Sequence, residues 1–286
     1  MALGPIEIIV LVVLSVGGVA GLLAIARRVP DDDEATLWAR SRGLDPEPVV
    51  LALVRPELAR TRRYRRTGAV LGFVGLPVGL LVSGNLDPVV GLVAGWAIGN
   101  VVAEAALRRR PRPGSVSAVA SPRRLGQYAS RHLFLLQAAT VAGTLGATGW
   151  ALTVEPVVVG GGGDGISDRA LVSYAAGGTA LAVLVVVLQR WVVARPQPVE
   201  DALALEVDDA FRSDSVHALG AAALALGGVL FAMVLRRPAE ANVLNPWVDL
   251  ASISLYLGSL LSTLWWANRA WAVRRPRPAG RPSVAA

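Results

Sequence analysis

The chain has 286 residues, of which 53% are hydrophobic and only 17% are charged. Basic residues outnumber acidic ones by 28 to 21, so the formal net charge is +7. The absence of cysteine excludes disulfides, thiolate zinc sites, iron–sulfur clusters and cysteine nucleophiles. The charges avoid several apolar windows of bilayer-spanning length, which predicts an integral membrane protein.

Every basic residue is an arginine, and most of them lie beside the apolar windows. In those places the arginines set the membrane orientation and contact anionic lipid headgroups. No motif typical of proteins that read DNA or RNA occurs, so we expect the bilayer and not nucleic acid as the partner.

The apolar windows predict about seven membrane-spanning helices. The first runs from Ile6 to Ala26 and is followed directly by Arg27 and Arg28, which favours a span over a cleaved signal peptide. The others lie near Gly68–Ser83, Pro88–Leu107, Leu133–Val154, Ala170–Leu188, Val216–Leu235 and Trp247–Asn268. They are too long for barrel strands and lack alternation, so the predicted fold is an all-α polytopic membrane helix bundle.

The arginines also predict the orientation in the cell membrane. With the N-terminus outside and the C-terminus in the cytoplasm, 25 of the 28 arginines fall on cytoplasmic segments. The exceptions are Arg169, Arg236 and Arg237. The inverted topology would place those 25 arginines outside, against the positive-inside rule.

Three related Arg-Pro sequences divide the chain after the first span. They are Arg110-Pro111-Arg112-Pro113, Arg195-Pro196-Gln197-Pro198 and Arg275-Pro276-Arg277-Pro278. We interpret them as the ends of three parallel helical-hairpin repeats, although proline and arginine also recur after spans by composition alone. The predicted units are a first transmembrane helix (1–28), a cytoplasmic helical segment (29–67), hairpin repeat one (68–113), a linker with hairpin repeat two (114–198), a cytoplasmic helix with hairpin repeat three (199–278) and a disordered tail (279–286).

Two cytoplasmic segments are predicted to form helices outside the spans. The first opens with Asp31-Asp32-Asp33-Glu34, an acidic helix start, and we expect a helical hairpin against the inner leaflet. In the second, Asp208 precedes Arg212 by four residues, the spacing of a helical ion pair. This helix is either a solvated linker or a contact for a cytoplasmic partner, with Asp208, Asp209, Arg212 and His217 as the contact residues.

The span interiors carry packing signals and polar stripes. Gly91, Gly95 and Gly99 recur every four residues and predict a face that another helix approaches closely. One polar stripe consists of Asp249, Ser252, Tyr256, Ser259 and Thr263, and another of Gln137, Thr140, Thr144 and Thr148. Each stripe either lines a polar pathway or packs against neighbouring helices.

The stretch Val207-Asp208-Asp209-Ala210-Phe211-Arg212-Ser213-Asp214-Ser215-Val216-His217-Ala218-Leu219 resembles a segment of uncharacterised multi-pass membrane proteins from high-GC Gram-positive bacteria. Some of those proteins occur beside ABC transporters and their regulators. The resemblance covers about 13 residues and implies no established activity. It adds only a little to the case for a partner role.

Function follows from the sequence only in outline. No His-Glu-x-x-His zinc motif and no Gly-x-Ser-x-Gly nucleophile elbow occurs, so we expect no catalytic residue, no metal and no cofactor. The leading hypothesis is a non-enzymatic accessory or permease-like subunit that binds a membrane protein or a second copy of itself. The alternatives are a stand-alone transporter or channel for a small solute and, less favoured, an intramembrane enzyme.

Overall fold

The structure is a computed structural model that describes residues 32–83, 96, 98–103, 123–155, 167–195, 202–241 and 246–268. These residues are helical apart from short connections, and no strand occurs among them. The helices are α1 (Asp32–Ser41), α2 (Pro48–Ser83), α3 (Leu125–Tyr128), α4 (Arg131–Ala151), α5 (Asp168–Ala194), α6 (Ala202–Ala241) and α7 (Pro246–Asn268). Residues 98–103 are helical as well. The predicted all-α class is therefore confirmed for this part of the chain.

Three described helices are long and apolar enough to cross a membrane. They cover Arg131–Ala151, Asp168–Ala194 and Ala202–Ala239. The windows of α4 and α5 are only 28% and 22% buried, and large apolar side chains such as Leu135 and Val183 point outward. Lipid can cover such surfaces without cost, whereas water cannot. The chain is accordingly a helical membrane protein.

The other four expected spans are not shown by the described residues. Helix α2 contains the window Gly68–Ser83, and α7 coincides with the window Trp247–Asn268. The first span, most of the window Pro88–Leu107, the loop Gly160–Gly163 and the tail 279–286 lie outside the described residues. The seven-span arrangement therefore stays a prediction.

Helix α6 is the central element of the fold. Its apolar window is 83% buried, and it contacts α2, α4, α5 and α7. At one end Arg237 of α6 pairs with Asp168, the first residue of α5, and donates to the carbonyl of Val154 after α4. At the other end Ser213 of α6 bonds to Tyr128 before α4. Helices α4 and α6 thus run parallel, with α5 antiparallel to both.

The predicted helical hairpin near the N-terminus is formed by α1 and the first half of α2. Asp32, Asp33 and Glu34 occupy the first turn of α1, where carboxylates favour the helix dipole. Helix α1 ends at Ser41, and Gly43 follows with a φ of 74°, the left-handed conformation that glycine adopts most easily. Helix α2 then continues without a break to Ser83, so the expected boundary between residues 67 and 68 falls inside a helix.

The hairpin packs on the N-terminal part of α6. Trp38, Val54 and Leu58 are buried against Val207 and Phe211 of α6. The rings of Trp38 and Phe211 stack with centroids 4.4 Å apart. Such a stacked pair adds to the stabilisation from burying apolar area. The hairpin is therefore part of the folded bundle and not a separate amphipathic layer.

The two histidines that the repeat hypothesis treats as equivalent have different surroundings. His132 is exposed at the start of α4, whereas His217 is 1% exposed in the middle of α6. Helices α4 and α5 form one antiparallel hairpin, and α6 and α7 form the next. Whether they are repeats of one unit stays a prediction.

Candidate functional site

Charged side chains concentrate where the first half of α6 meets α1, α2, α3 and the end of α5. We call this cluster the ionic junction. Its members are Arg42, Arg65, Tyr128, Arg195, Asp208, Asp209, Arg212 and Asp214. Buried charges are stable only when they are paired and hydrogen-bonded, so the partners of each group decide what the junction does.

Asp214 connects the hairpin of α1 and α2 to the central helix. Its carboxylate accepts hydrogen bonds from Arg42 and from Arg65, the latter at 3.0 Å. The Asp214 side chain is 7% exposed and that of Arg42 is 8% exposed. The Arg42 guanidinium also lies 4.4 Å from the centre of the Trp38 ring, a cation–π contact. Ion pair and aromatic stack therefore form one continuous contact between α1 and α6.

Arg212 joins α6 to the C-terminal end of α5. Its guanidinium is fully buried and donates to the carbonyls of Val192, Val193 and Arg195 at 3.1, 3.0 and 2.8 Å. The last carbonyls of a helix have no partner within it, so Arg212 satisfies groups that α5 cannot satisfy alone. Asp208 balances the charge at 2.7 Å, in the predicted four-residue register, which is thereby confirmed. It also pairs with Arg195 at 3.3 Å.

Tyr128 ties the short helix α3 to α6. Its hydroxyl donates to Asp209 at 2.9 Å, and its carbonyl accepts from the Ser213 hydroxyl at 2.7 Å. Burial raises the pKa of the Tyr128 phenol above its ordinary value, and the neighbouring Asp209 carboxylate raises it further. The phenol is therefore held in its neutral, donating form.

We expect Tyr128→Phe to lower the free energy of unfolding by about 1.5 to 3 kcal/mol at neutral pH, because a hydrogen bond to a carboxylate is lost. The folded state keeps the phenol proton to higher pH than the unfolded state does. The contribution is therefore complete below about pH 10 and is lost as the pH rises further. Unfolding of the native chain and the variant should be compared on both sides of that pH. If the free energy of unfolding changed with pH in the same way for both proteins, the hydrogen bond from the Tyr128 phenol to Asp209 would not make this contribution.

The residues considered as a partner surface turn out to be engaged within the chain. Arg212 is 0% exposed and His217 is 1% exposed, with Nδ1 of His217 at 2.8 Å from the Ser213 carbonyl oxygen. Asp208 and Asp209 are half-buried and bind Arg212 and Tyr128. Asp208, Asp209 and Arg212 thus link α6 to neighbouring elements, while the bond of His217 stays within α6. A contact of these residues with a cytoplasmic partner stays a prediction.

The polar stripe on α4 faces the central helix. Gln137, Thr144 and Thr148 are buried, and Thr140 is half-buried. The three threonine hydroxyls donate to the carbonyls four residues earlier at 2.8 to 2.9 Å, and Gln137 donates to the Gly220 carbonyl of α6 at 3.5 Å. Threonine satisfies itself in this way inside apolar surroundings. This geometry favours packing over a pathway.

The stripe on α7 also turns toward α6 where its side chains are described. Ser252 donates to the Ala232 carbonyl of α6 at 3.2 Å, and Ser259 bonds to the Tyr256 carbonyl at 2.7 Å. Ser259 lies directly against Gly228, where a side chain on α6 would collide with it. The side chains of Asp249 and Thr263 lie outside the described part of the structure.

A cleft of 280 Å³ opens between α6 and α7 beside this stripe. Its lining residues are Ala232, Met233, Arg236, Ser252, Ile253, Tyr256 and Leu257. The cleft lies toward the C-terminal end of α6, away from the ionic junction. It contains part of the polar stripe and is therefore the described region that best fits the solute-pathway alternative.

The glycine face is described at one of its three positions. A Cβ atom at Gly99 would lie 2.5 Å from the Tyr64 carbonyl oxygen and 3.1 Å from the Cα atom of Gly68, so this glycine lies against the backbone of α2. Such an approach leaves no room for any side chain. Gly91 and Gly95 lie outside the described residues.

Several residues of the junction were not identified from the sequence. The helical hairpin predicted against the inner leaflet includes Arg65, yet this arginine pairs with Asp214 of α6. Outside the junction, the sequence also provided no indication of Gln189, which is 0% exposed and donates to the Val216 carbonyl at 3.0 Å. The sequence feature that could have indicated the junction is Asp214 at the edge of the apolar window Val216–Leu235. An ionisable group in that position requires a partner.

Within the described residues, no group of three or more histidine, cysteine, aspartate or glutamate side chains is placed to hold a metal ion. The paired guanidinium and carboxylate groups of the junction are suited to joining helices. Comparisons with protein-family models, curated proteins and solved structures gave no match. Function must therefore be inferred from the geometry of the chain itself.

Proposed function

We propose that this chain is a seven-span, non-enzymatic component of a membrane assembly, an accessory or permease-like subunit built around α6. The observation that carries the proposal is the direction of the two polar stripes. Their described members Gln137, Thr144, Ser252 and Ser259 contact α6 or bond to their own helix. Side chains used in this way support a rigid scaffold and leave few groups for a solute.

In this proposal the ionic junction fixes the cytoplasmic hairpin to the inner end of the bundle. Asp214 lies two residues before the apolar window Val216–Leu235, which is about 30 Å long as a helix and thus matches the hydrocarbon core. The junction would then sit at the inner membrane surface. A hairpin held there presents the exposed Arg60 and Arg63 of α2 to anionic headgroups or to a cytoplasmic partner.

The orientation proposed here places the N-terminus and the loop Gly160–Gly163 outside. It is supported by the 25 arginines on the segments assigned to the cytoplasm. Because the chain has no cysteine, Gly162→Cys and Ser121→Cys each introduce a single thiol. In intact cells we expect an impermeant thiol reagent to label Gly162→Cys and to leave Ser121→Cys unlabelled. The reverse pattern would overturn this topology.

The proposal predicts that Ser259 is shielded from water. A thiol must ionise to react quickly, so Ser259→Cys should stay inert toward small hydrophilic reagents. Glu155→Cys, at an exposed position after α4, is the reactive control. Ser259→Leu should in turn lower the stability of the protein, because a larger side chain would push α7 away from Gly228. The loss should be about 1 to 3 kcal/mol in equilibrium unfolding.

The second candidate function is a stand-alone transporter or channel, and the cleft between α6 and α7 favours it. Ser252 and Tyr256 would then contact the solute. Rapid modification of Ser259→Cys together with tolerance of Ser259→Leu would favour this alternative over a scaffold. Purification in mild detergent, followed by identification of co-purifying proteins, tests the subunit proposal directly, since a stable partner is expected.

A further inference from the structure

The cleft between α6 and α7 combines apolar walls with one cationic residue. Met233 of α6 and Ile253 and Leu257 of α7 supply apolar wall, and Arg236 lines the same cleft. Ile253 and Leu257 are 57% and 52% exposed, so the cleft is a groove on the outer surface of the bundle. A groove of this kind on a membrane helix is in contact with acyl chains and not with water.

Arg236 occupies the end of the groove that lies at the membrane surface. It directly follows Leu235, the last residue of the apolar window of α6. The neighbouring Arg237 is directed to other helices, because it pairs with Asp168 and donates to the Val154 carbonyl. Arg236 itself is exposed and faces the groove. A guanidinium at this level is positioned for the phosphate of a lipid headgroup.

We propose that this groove binds one anionic phospholipid, with an acyl-chain segment along Met233, Ile253 and Leu257 and the headgroup phosphate on Arg236. It rests on the proposed function, in which α6 and α7 both cross the membrane. The volume of 280 Å³ is slightly below the roughly 300 Å³ at which small-molecule pockets begin. It therefore accommodates part of one chain, while the rest of the lipid stays in the bilayer.

Charge complementarity and the exposed walls favour a phospholipid over a soluble phosphate. Free phosphate would gain the ion pair with Arg236 but none of the apolar contact. A phospholipid gains both, because its acyl chain can also pack along the apolar walls. The Tyr256 side chain also lines the groove.

The test is native mass spectrometry of the full chain in mild detergent, titrated with phosphatidylglycerol or with phosphatidylcholine. Arg236→Gln should weaken phosphatidylglycerol binding by at least about tenfold, because a charge-assisted contact is lost. Arg169→Gln is the matched control, because Arg169 is also exposed and begins α5 at the same end of the bundle. It should leave binding unchanged.

A second variant tests the apolar part of the groove. Ile253→Trp places a larger side chain at an exposed position, so the protein should still fold. The tryptophan ring should fill the groove, and both lipids should bind more weakly. If Arg236→Gln and Arg169→Gln weakened phosphatidylglycerol binding equally, the proposal would be overturned. Competition by inorganic phosphate at the same concentration would also overturn it, in favour of a soluble anion. The measurement uses the isolated chain, so the absence of a partner protein would contradict the subunit proposal without affecting this one.

Discussion

Asp214→Asn is expected to destabilise the protein by about 3 to 5 kcal/mol, because two buried guanidinium groups lose their shared counter-charge. Asparagine has nearly the same shape as aspartate, so the substitution isolates the charge. Arg42 and Arg65 are 8% and 15% exposed and cannot easily regain water. Equilibrium unfolding in mixed detergent micelles measures the loss.

The same variant should release the hairpin of α1 and α2 from α6. The connection between these helices contains Arg42, a trypsin site that is protected while its side chain binds Asp214. Cleavage after Arg42 should therefore become faster in Asp214→Asn. Asp45→Asn, at an exposed position in the same connection, serves as the control and should change neither stability nor cleavage.

A combined variant separates electrostatics from shape. Replacing Asp214 and its two arginine partners with apolar residues of similar size, as Arg42→Met, Arg65→Met and Asp214→Leu, removes all three charges of this ion-pair group. Buried ion pairs can be replaced in this way at little cost, whereas half of a pair cannot be left alone. The triple variant should be more stable than Asp214→Asn, apart from the lost contact between Arg42 and Trp38. A triple variant that is less stable than Asp214→Asn would refute the charge argument.

Arg212→Met is expected to cause a loss of similar size, about 3 to 5 kcal/mol. Methionine fills much of the space of the arginine but donates no hydrogen bond. The carbonyls of Val192, Val193 and Arg195 would then be left unsatisfied in a buried position. Each such group costs about 1 to 3 kcal/mol, and Asp208 loses its closest cation.

Arg212→Lys distinguishes the geometry of the guanidinium from its charge. The Nε atom binds Asp208 while Nη1 serves three carbonyls, and a single ammonium group cannot reach both sets. The lysine variant should therefore lie between the native chain and Arg212→Met in unfolding measurements. Arg190→Gln, at an exposed position on α5, is the control without an effect. Native stability in Arg212→Lys would show that charge alone matters.

Local features of the fold followed directly from the sequence. Carboxylates at 32–34 predicted the start of α1, because they favour a helix N-terminus. The spacing of Asp208 and Arg212 predicted their ion pair, because residues four apart share a helix face. Apolar windows predicted helices of spanning length, and α4, α5 and α6 meet that expectation. Each of these inferences depends only on neighbours along the chain.

The partners of the ionic junction depended on the tertiary structure. Asp214 lies 172 residues from Arg42 and 149 from Arg65, and Tyr128 lies 81 residues from Asp209. No periodicity of the sequence relates groups so far apart. The sequence predicts that arginines beside the apolar windows contact headgroups, because composition cannot distinguish an arginine at a headgroup from one, such as Arg65, that enters the bundle.

The identity of the central helix was likewise decided by tertiary structure alone. In a soluble protein, burial leaves an apolar face on each helix and a polar face toward water. In a bilayer the outward face is apolar as well, since lipid replaces water. Helices α5 and α6 therefore have similar apolar sequences, although the windows are 22% and 83% buried respectively. The sequence determined that both helices suit a membrane, and only the packing determined that α6 lies inside while α5 faces lipid.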